Sequence, residues 1–286
     1  MTPDGTAAPS DGWRCAVLGS PISHSLSPAL HRAAYTELGL TGWTYDRFEV
    51  TEGELADFVT GCTGNWRGLS LTMPLKSVAL TLGEVDPLAR FAASANTLIF
   101  DGLGRRLYNT DVGGLVWAVQ QLSAARLRQV TILGSGATAR SSVLSAAHLG
   151  ARTLTIMART PRKAEQLEAL GSALQLDLHV LPWDAAPPPA DLLISTVTSG
   201  AVDPIAAAMA RSAPIVFDVI YEPWPTALAR AAQQAGAGVI NGLDMLVGQA
   251  LGQIQLMTGR TVSPDVLYAA GRAALAGRAR NEGWAP

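Results

Sequence analysis

In the stretch SPISHSLSPALH, residues 20 to 31, Ser23, His24, Ser25 and Ser27 crowd into five positions beside two prolines. One capping hydroxyl is enough to start a helix. The stretch alone leaves open what the other side chains are for. Further along, GLSLTMPLKSVAL carries Thr72 and Lys76. Pro74 fits the first position of a helix, which puts Lys76 in the first turn. There the helix dipole disfavours an ammonium, so the lysine is a candidate proton carrier whose charged form needs a carboxylate nearby. The candidate partner is Asp111, at the end of the strand pattern RLYNTD and just before Gly113 and Gly114. Two plainer accounts stay open on these residues alone: a lysine that reaches into solvent and an aspartate that caps a helix. Asn96, in SANTLIF, stands in a strand pattern that disfavours Asn, so its amide is expected to face something polar.

A second group of residues reads as a phosphate cradle. VTILGSGATARSSVL sets Gly134, Gly136 and Ala139 in G-x-G-x-x-A spacing between a strand and a helix, with Ser135 and Ala137 completing the turn. Gly134 permits the tight turn, Gly136 lets the backbone approach a pyrophosphate, and the small Ala139 lets helix pack on strand. A site for NAD carries Asp or Glu about 20 residues on, to bind the ribose hydroxyls. Here the next strand ends in Ala158, Arg159, Thr160, Pro161, Arg162 and Lys163. Three cations and a hydroxyl stand where a 2′-phosphate would sit, which points to NADP(H).

These residues need elements that place them at strand ends. Short apolar strands alternate with helical stretches almost throughout, which predicts βα units and parallel or mixed sheets under helices. The first series runs CAVLG, PALHRAAYTELG, YDRFEV, ELADFVTGC, GLSLTMP and LKSVALTLG. The second, from QVTILGSG through TLTIMART, LHVLPW, ADLLISTV and PIVFDVI to GVING, reads as near-continuous Val, Ile and Leu runs, as strands buried on both faces do. The fold class expected is α/β with two domains and a cleft between them: an α/β substrate-binding domain over 1–113, joined by C-terminal helices 243–286, and a Rossmann-type domain over 114–242. Ser25, Ser27, Thr72, Lys76, Asn96 and Asp111 then all fall at strand ends or in the loops after them, where open α/β sheets bind ligands.

Composition narrows the partners. The chain has 286 residues, 48% hydrophobic and 15% charged, with net charge -2 and scattered Lys and Arg. That excludes the basic field needed by nucleic acid or an anionic membrane and favours small molecules. Cys15 and Cys62 match no metal-ligand spacing, so no metal is expected, and they read as two buried apolar thiols in a reducing compartment. With no signal-peptide pattern and no apolar run of spanning length, the chain reads as cytoplasmic and soluble. PWDAAPPPAD, 182 to 191, reads as a stiff exposed loop. A monomer and a homodimer both fit.

The pieces GSPISHSLSPALH, GLSLTMPLK, SANT, YNTDVGG, GSGATAR, ART, DVIYEPWPT and NGLDMLVGQA run in this order over nearly the whole chain. Together they resemble the shikimate dehydrogenase family, which reduces 3-dehydroshikimate to shikimate with NADPH. The resemblance implies that Ser25 and Ser27 hold the substrate carboxylate, with Ser27 also capping the helix begun by Pro28. It implies that Thr72, Asn96, Asp111 and Gln249 bind ring hydroxyls, that Tyr221 lies near the carboxylate, and that Lys76 and Asp111 are the catalytic pair. The sequence departs from the family pattern in four places. Ser70 replaces the Asn of G-x-N-V-T-x-P-x-K, Ala137 and Thr138 replace Gly-Ala in the glycine loop, Ala158 replaces the Asn before Arg-Thr, and ISTVTSG replaces the N-A-T near the nicotinamide. Two alternatives remain: a quinate/shikimate dehydrogenase or paralogue of shifted substrate, and a non-catalytic NADP-sensing module.

Overall fold

The computed structural model describes residues 12–102 and 104–281, without the side chains of 161, 163, 279 and 281. The chain divides into two compact units, one running up to Thr110 and again from Leu246, the other covering Asp111–Met245.

The first unit carries β1 (Arg14–Gly19), α1 (Ser27–Glu37), β2 (Thr44–Glu49), α2 (Leu55–Gly61), β3 (Trp66–Leu71), β4 (Glu84–Val85), α3 (Pro87–Ala92), β5 (Thr97–Asp101) and β6 (Gly104–Tyr108). Its six strands form one mixed sheet in the order β2-β1-β3-β5-β6-β4. β1 runs parallel to both neighbours, whereas β5 runs antiparallel to β3 and to β6. β3 is central, and all six residues of WRGLSL are buried, which explains a strand without polar alternation. α1 buries Ser27, Leu30, His31, Ala34 and Tyr35, the spacing that lines one helical face.

The second unit carries α4 (Asp111–Leu122), β7 (Gln129–Leu133), α5 (Ala137–His148), β8 (Thr153–Ala158), α6 (Pro161–Ala173), β9 (Asp177–Pro182), β10 (Leu192–Ser195), α7 (Ala206–Arg211), β11 (Ile215–Asp218), α8 (Ala227–Gln234) and β12 (Gly238–Ile240). All its pairings are parallel, in the order β12-β11-β10-β7-β8-β9. This is the doubly wound order, and its direction reverses between β7 and β10, the place where such sheets bind nucleotides. α9 (Gly242–Thr258) then leads back to the first unit, where α10 (Pro264–Asn281) packs on α1. The division expected after residue 113 falls inside α4.

Three local expectations are corrected. LKSVALTLG forms no α-helix: Lys76 sits in a hydrogen-bonded turn, followed only by a 3-10 helix at Val78–Thr81. The reason is tertiary, since the Lys76 carbonyl accepts from Ala95 N–H at 2.8 Å, which ties this turn to the segment before β5. With no α-helix there, the dipole argument for Lys76 lapses. Asn96 lies just before β5 instead of inside a strand. Cys15 is buried, but Cys62 is only half-buried. Burial pushes the two thiols up to about 12 and about 11, so neither is a thiolate at neutral pH. No helix among the described residues is long and apolar enough to cross a membrane.

α9 is held to the first sheet by backbone carbonyls as well as by packing. Arg67, 2% exposed on β3, donates from Nε to Met257 O at 2.9 Å and from Nη1 to Phe100 O at 2.9 Å. Gly68 next to it lets the helix come close, because a Cβ there would lie 3.0 Å from the Met257 side chain. Truncating Arg67 leaves the buried Met257 carbonyl and the part-buried Phe100 carbonyl without this donor. Arg67→Ala is therefore expected to lower stability by about 2–4 kcal/mol in urea denaturation, with an unchanged denaturant slope.

Candidate functional site

In the first unit the serine loop and the Thr72–Lys76 turn meet at Gly19. A Cβ on Gly19 would lie 2.4 Å from Thr72 Cγ2 and 2.9 Å from Met73 O, so only glycine fits at the end of β1. Ser20 N–H donates to Met73 O at 3.0 Å and Thr72 N–H to Leu18 O at 2.9 Å, which fastens the two loops side by side. Thr72, Lys76 and Ser25 are half-buried and Ser27 is buried. Ser27 does not cap α1. Leu26 holds the cap position, already helical at φ -87 and ψ -10, and Ser27 is the first residue of the helix. Ser25 takes the local role instead, its Oγ accepting from Ser27 N–H at 3.3 Å.

The carbonyls of this loop point outward to two guanidiniums that the sequence reading did not single out. Arg278 on α10 donates to His24 O at 3.0 Å and to Ser25 O at 3.3 Å, and Arg47 on β2 donates to Ser23 O. Both lie far from the loop in sequence, so no local spacing signals them. His24 contributes its carbonyl here, in keeping with a part in the turn.

Two candidate residues more than 150 positions apart come together behind this loop. Asn96 Nδ2 donates to Gln249 Oε1 at 3.3 Å, with Asn96 1% and Gln249 8% exposed. Asn96 Oδ1 accepts from Thr110 N–H at 2.8 Å and from Thr97 Oγ1 at 3.0 Å. Gln253, one helical turn beyond Gln249, joins the cluster by donating to Thr97 Oγ1 at 3.0 Å. The signal for it was a glutamine four residues after Gln249, on the same face of the largely apolar helix LDMLVGQALGQIQLM.

Lys76 and Asp111 fall in different units. Asp111 is the first residue of α4 and is buried, while Tyr221 lies in the irregular segment after β11. That segment is closed by Asp218, which the sequence reading also missed. Its Oδ2 accepts from Thr226 Oγ1 at 2.8 Å and its Oδ1 from Ile220 N–H at 3.3 Å. Thr226 in turn caps α8, accepting from Ala229 N–H at 3.0 Å. Burial raises the Asp218 pKa above the usual carboxylate range.

The second unit holds a concavity of about 250 Å³ at the ends of β7, β8 and β10. Gly134, Ser135, Gly136, Arg159, Thr160 and Trp183 line it, together with the turn after β10. Gly134 has φ +109, and a Cβ there would lie 2.6 Å from Thr196 Oγ1, so the turn demands glycine. Gly136 is the N-cap of α5 with no side-chain cap, and the space where its Cβ would be is empty for 4 Å. The first amides of α5 are thus open to an anion, and Ala137 begins the helix. Ala139 is fully buried against the sheet. These features fit a dinucleotide pyrophosphate. The side chain of Lys163 lies outside the described residues. Trp183 corrects the reading of its segment as a bare exposed loop: it packs partly on the core and partly lines this concavity. Among the described residues no cluster of His, Cys, Asp and Glu forms a metal site.

Residues 17–98 match the family model described as the shikimate dehydrogenase substrate binding domain, and residues 242–270 match the shikimate 5′-dehydrogenase C-terminal domain. Shikimate dehydrogenase (NADP(+)) from Methanothermobacter thermautotrophicus is 32% identical over 264 residues, covering 88% of this chain and 93% of that protein. Among solved structures, Mycobacterium tuberculosis shikimate dehydrogenase superposes with a TM-score of 0.85 at 40% identity, covering 91% of this chain and 99% of the other. Shikimate 5-dehydrogenase from Thermus thermophilus, solved in complex with NADP(H) and shikimate, gives 0.79 at 30% identity, covering 92% and 99%. The likeness covers about nine-tenths of the chain and so takes in both units, and the chain belongs to the shikimate dehydrogenase family.

Proposed function

We propose that this chain reversibly reduces 3-dehydroshikimate to shikimate with NADPH, a step on the route to aromatic amino acids. The observation that carries the cofactor choice is the lining at the end of β8. Arg159 and Thr160 stand there, and no carboxylate is among the described lining residues. A carboxylate at that place would bind ribose hydroxyls and repel a 2′-phosphate, whereas a guanidinium grips the phosphate through two hydrogen bonds. Lys163 adds a second cation, and Ser135, Gly136, Ala137 and the first turn of α5 carry the pyrophosphate.

Bound there, the nicotinamide supplies hydride chemistry at its C4. The side chains of this protein bind, orient and move the proton. Ser25 and Ser27 hold the substrate carboxylate with Tyr221 near it, and Thr72, Asn96, Gln249 and Asp111 take the ring hydroxyls. Lys76 gives a proton to the developing alkoxide and, in the reverse direction, takes it from the hydroxyl. Asp111 orients the lysine. The protein works in the cytoplasm, as a monomer or homodimer.

Purified protein mixed with shikimate or quinate and with NADP or NAD, followed by the absorbance of the reduced nucleotide, tests the reading. Shikimate with NADP is expected to be the fastest pair, and Lys76→Ala to lower kcat about a thousandfold. Faster turnover of quinate would overturn the substrate assignment. Arg159→Ala is expected to raise the KM for NADP about thirtyfold while leaving that for NAD nearly unchanged. A variant that still prefers NADP as strongly as the parent protein would sink the role given to Arg159.

A further inference from the structure

Ser70 occupies a position where the resemblance leads one to expect an asparagine, yet its hydroxyl is already engaged on both sides. Tyr45 Oη lies 2.6 Å from Ser70 Oγ, and Ser70 Oγ lies 2.8 Å from Gln253 Oε1. Tyr45 is 0% exposed, Gln253 1% and Ser70 4%, so water does not compete for these bonds. We infer that Tyr45 is a positioning residue for the Asn96 and Gln249 carboxamides, acting through a one-way hydrogen-bond relay in which Ser70, Gln253 and Thr97 are the links. The inference rests on the proposed function, in which those two amides bind the substrate ring.

Two backbone groups that cannot exchange roles force the direction of the relay. The Asn96 carbonyl can only accept, so the group 3.2 Å from it on Gln253 is the amide nitrogen. That leaves Oε1 as the atom facing Ser70, and an amide oxygen accepts only, so Ser70 must donate. With the Ser70 hydrogen used, the phenol of Tyr45 must be the donor to Ser70. At the far end the backbone N–H of Thr110 can only donate, 2.8 Å from Asn96, which fixes Oδ1 on that side. Thr97 receives a hydrogen from Gln253 Nε2 and passes its own to Asn96 Oδ1 at 3.0 Å. Asn96 Nδ2 is thereby turned toward Gln249 Oε1, and Gln249 Nε2 toward Leu246 O at 3.2 Å.

His31 supports the same direction from the side. Its Nε2 lies 3.2 Å from Gln253 Oε1 and must therefore carry the hydrogen, and its ring stacks on Tyr45 with centroids 4.0 Å apart. Burial pushes the His31 pKa down to about 3, so the ring stays neutral and that tautomer persists. Ser70, with its hydrogen spent on Gln253, has no donor left for a substrate hydroxyl.

Tyr45→Phe keeps the ring and its stack and removes one oxygen. In the ligand-free full chain, the side-chain amide signals of Asn96 and Gln249 in nitrogen–proton correlation spectra are expected to shift. In turnover the shikimate KM is expected to rise about tenfold, with kcat and the NADP KM within about twofold. The Tyr45 phenol also hydrogen-bonds the Ser27 side chain, so the rise in KM alone does not separate the two routes; Tyr45 and Gln249 share no bond described, and an effect passing through Ser27 predicts independent losses. The relay predicts that Tyr45→Phe combined with Gln249→Ala loses less than the product of the two single effects. Ser70→Ala, which cuts the next link, should reproduce the pattern if the Tyr45 variant folds poorly. Unmoved amide signals, or losses that simply multiply, would overturn the relay. If the unmodified protein does not turn over shikimate, the proposed function fails, while the spectra still decide the relay.

Discussion

A carboxamide beyond the reach of water has one oxygen and two hydrogens to satisfy, and leaving any of them unpaired costs about 1–3 kcal/mol. Gln253 satisfies its groups with partners from α1, β3 and the start of β5, three stretches that local sequence cannot connect. That requirement sets the register of α9 on the first sheet more sharply than apolar contact does, because sliding the helix by one residue would strand several groups at once. Arg67 adds to it by binding the carbonyl of Met257 near the end of the same helix. Once α9 is seated, Gln249 is carried one turn earlier to the amide of Asn96. The cluster proposed to bind substrate is thus a consequence of how the helix is docked.

The second unit solves a different problem with a simpler device. Parallel strands all end on the same side of their sheet, and at the point where the winding reverses nothing covers those ends. The turn after β7 must leave that gap open while passing close to the turn after β10. Gly134 does so at φ +109, with Thr196 filling the space a side chain would need. The same end of the sheet carries Asp218, whose carboxylate ties β11 to the cap of α8 and so closes the segment bearing Tyr221. Rigid strand ends and a few polar ties then hold loops that would otherwise wander.

How legible these parts are depends on how local their causes are. The alternation of strands and helices, the glycine turn and the missing acid after β8 are written in contiguous residues, and each could be read directly. Lys76 could not, because the bond that prevents a helix there comes from Ala95 N–H, a partner supplied by the tertiary fold. Ser27 looked like a cap by residue type, but it is the first residue of α1 and Leu26 holds the cap position, with dihedrals that are already helical. Tyr45 and Ser70 are 25 positions apart, and Ser70 and Gln253 are 183 apart. No periodicity or motif spacing reaches across such separations, so the relay was invisible, although each of its members was in plain view.

The departures from the family pattern follow the same division. Ala137 stands at the first position of α5, where the group offered to a phosphate is a backbone N–H that any small residue supplies equally well. Gly136, the position at which a side chain would block the approach, is retained and faces open space. Ala158 is only 3% exposed but lines the same concavity as Arg159 and Thr160, which are exposed beside it, so the change removes an amide from the edge of that site. At Ser70 the hydroxyl accepts from the buried Tyr45 phenol of β2 and donates to Gln253. A backbone N–H at a helix start leaves the side chain at that position free to vary, whereas a buried hydroxyl bonded on two sides ties its residue to the partners around it.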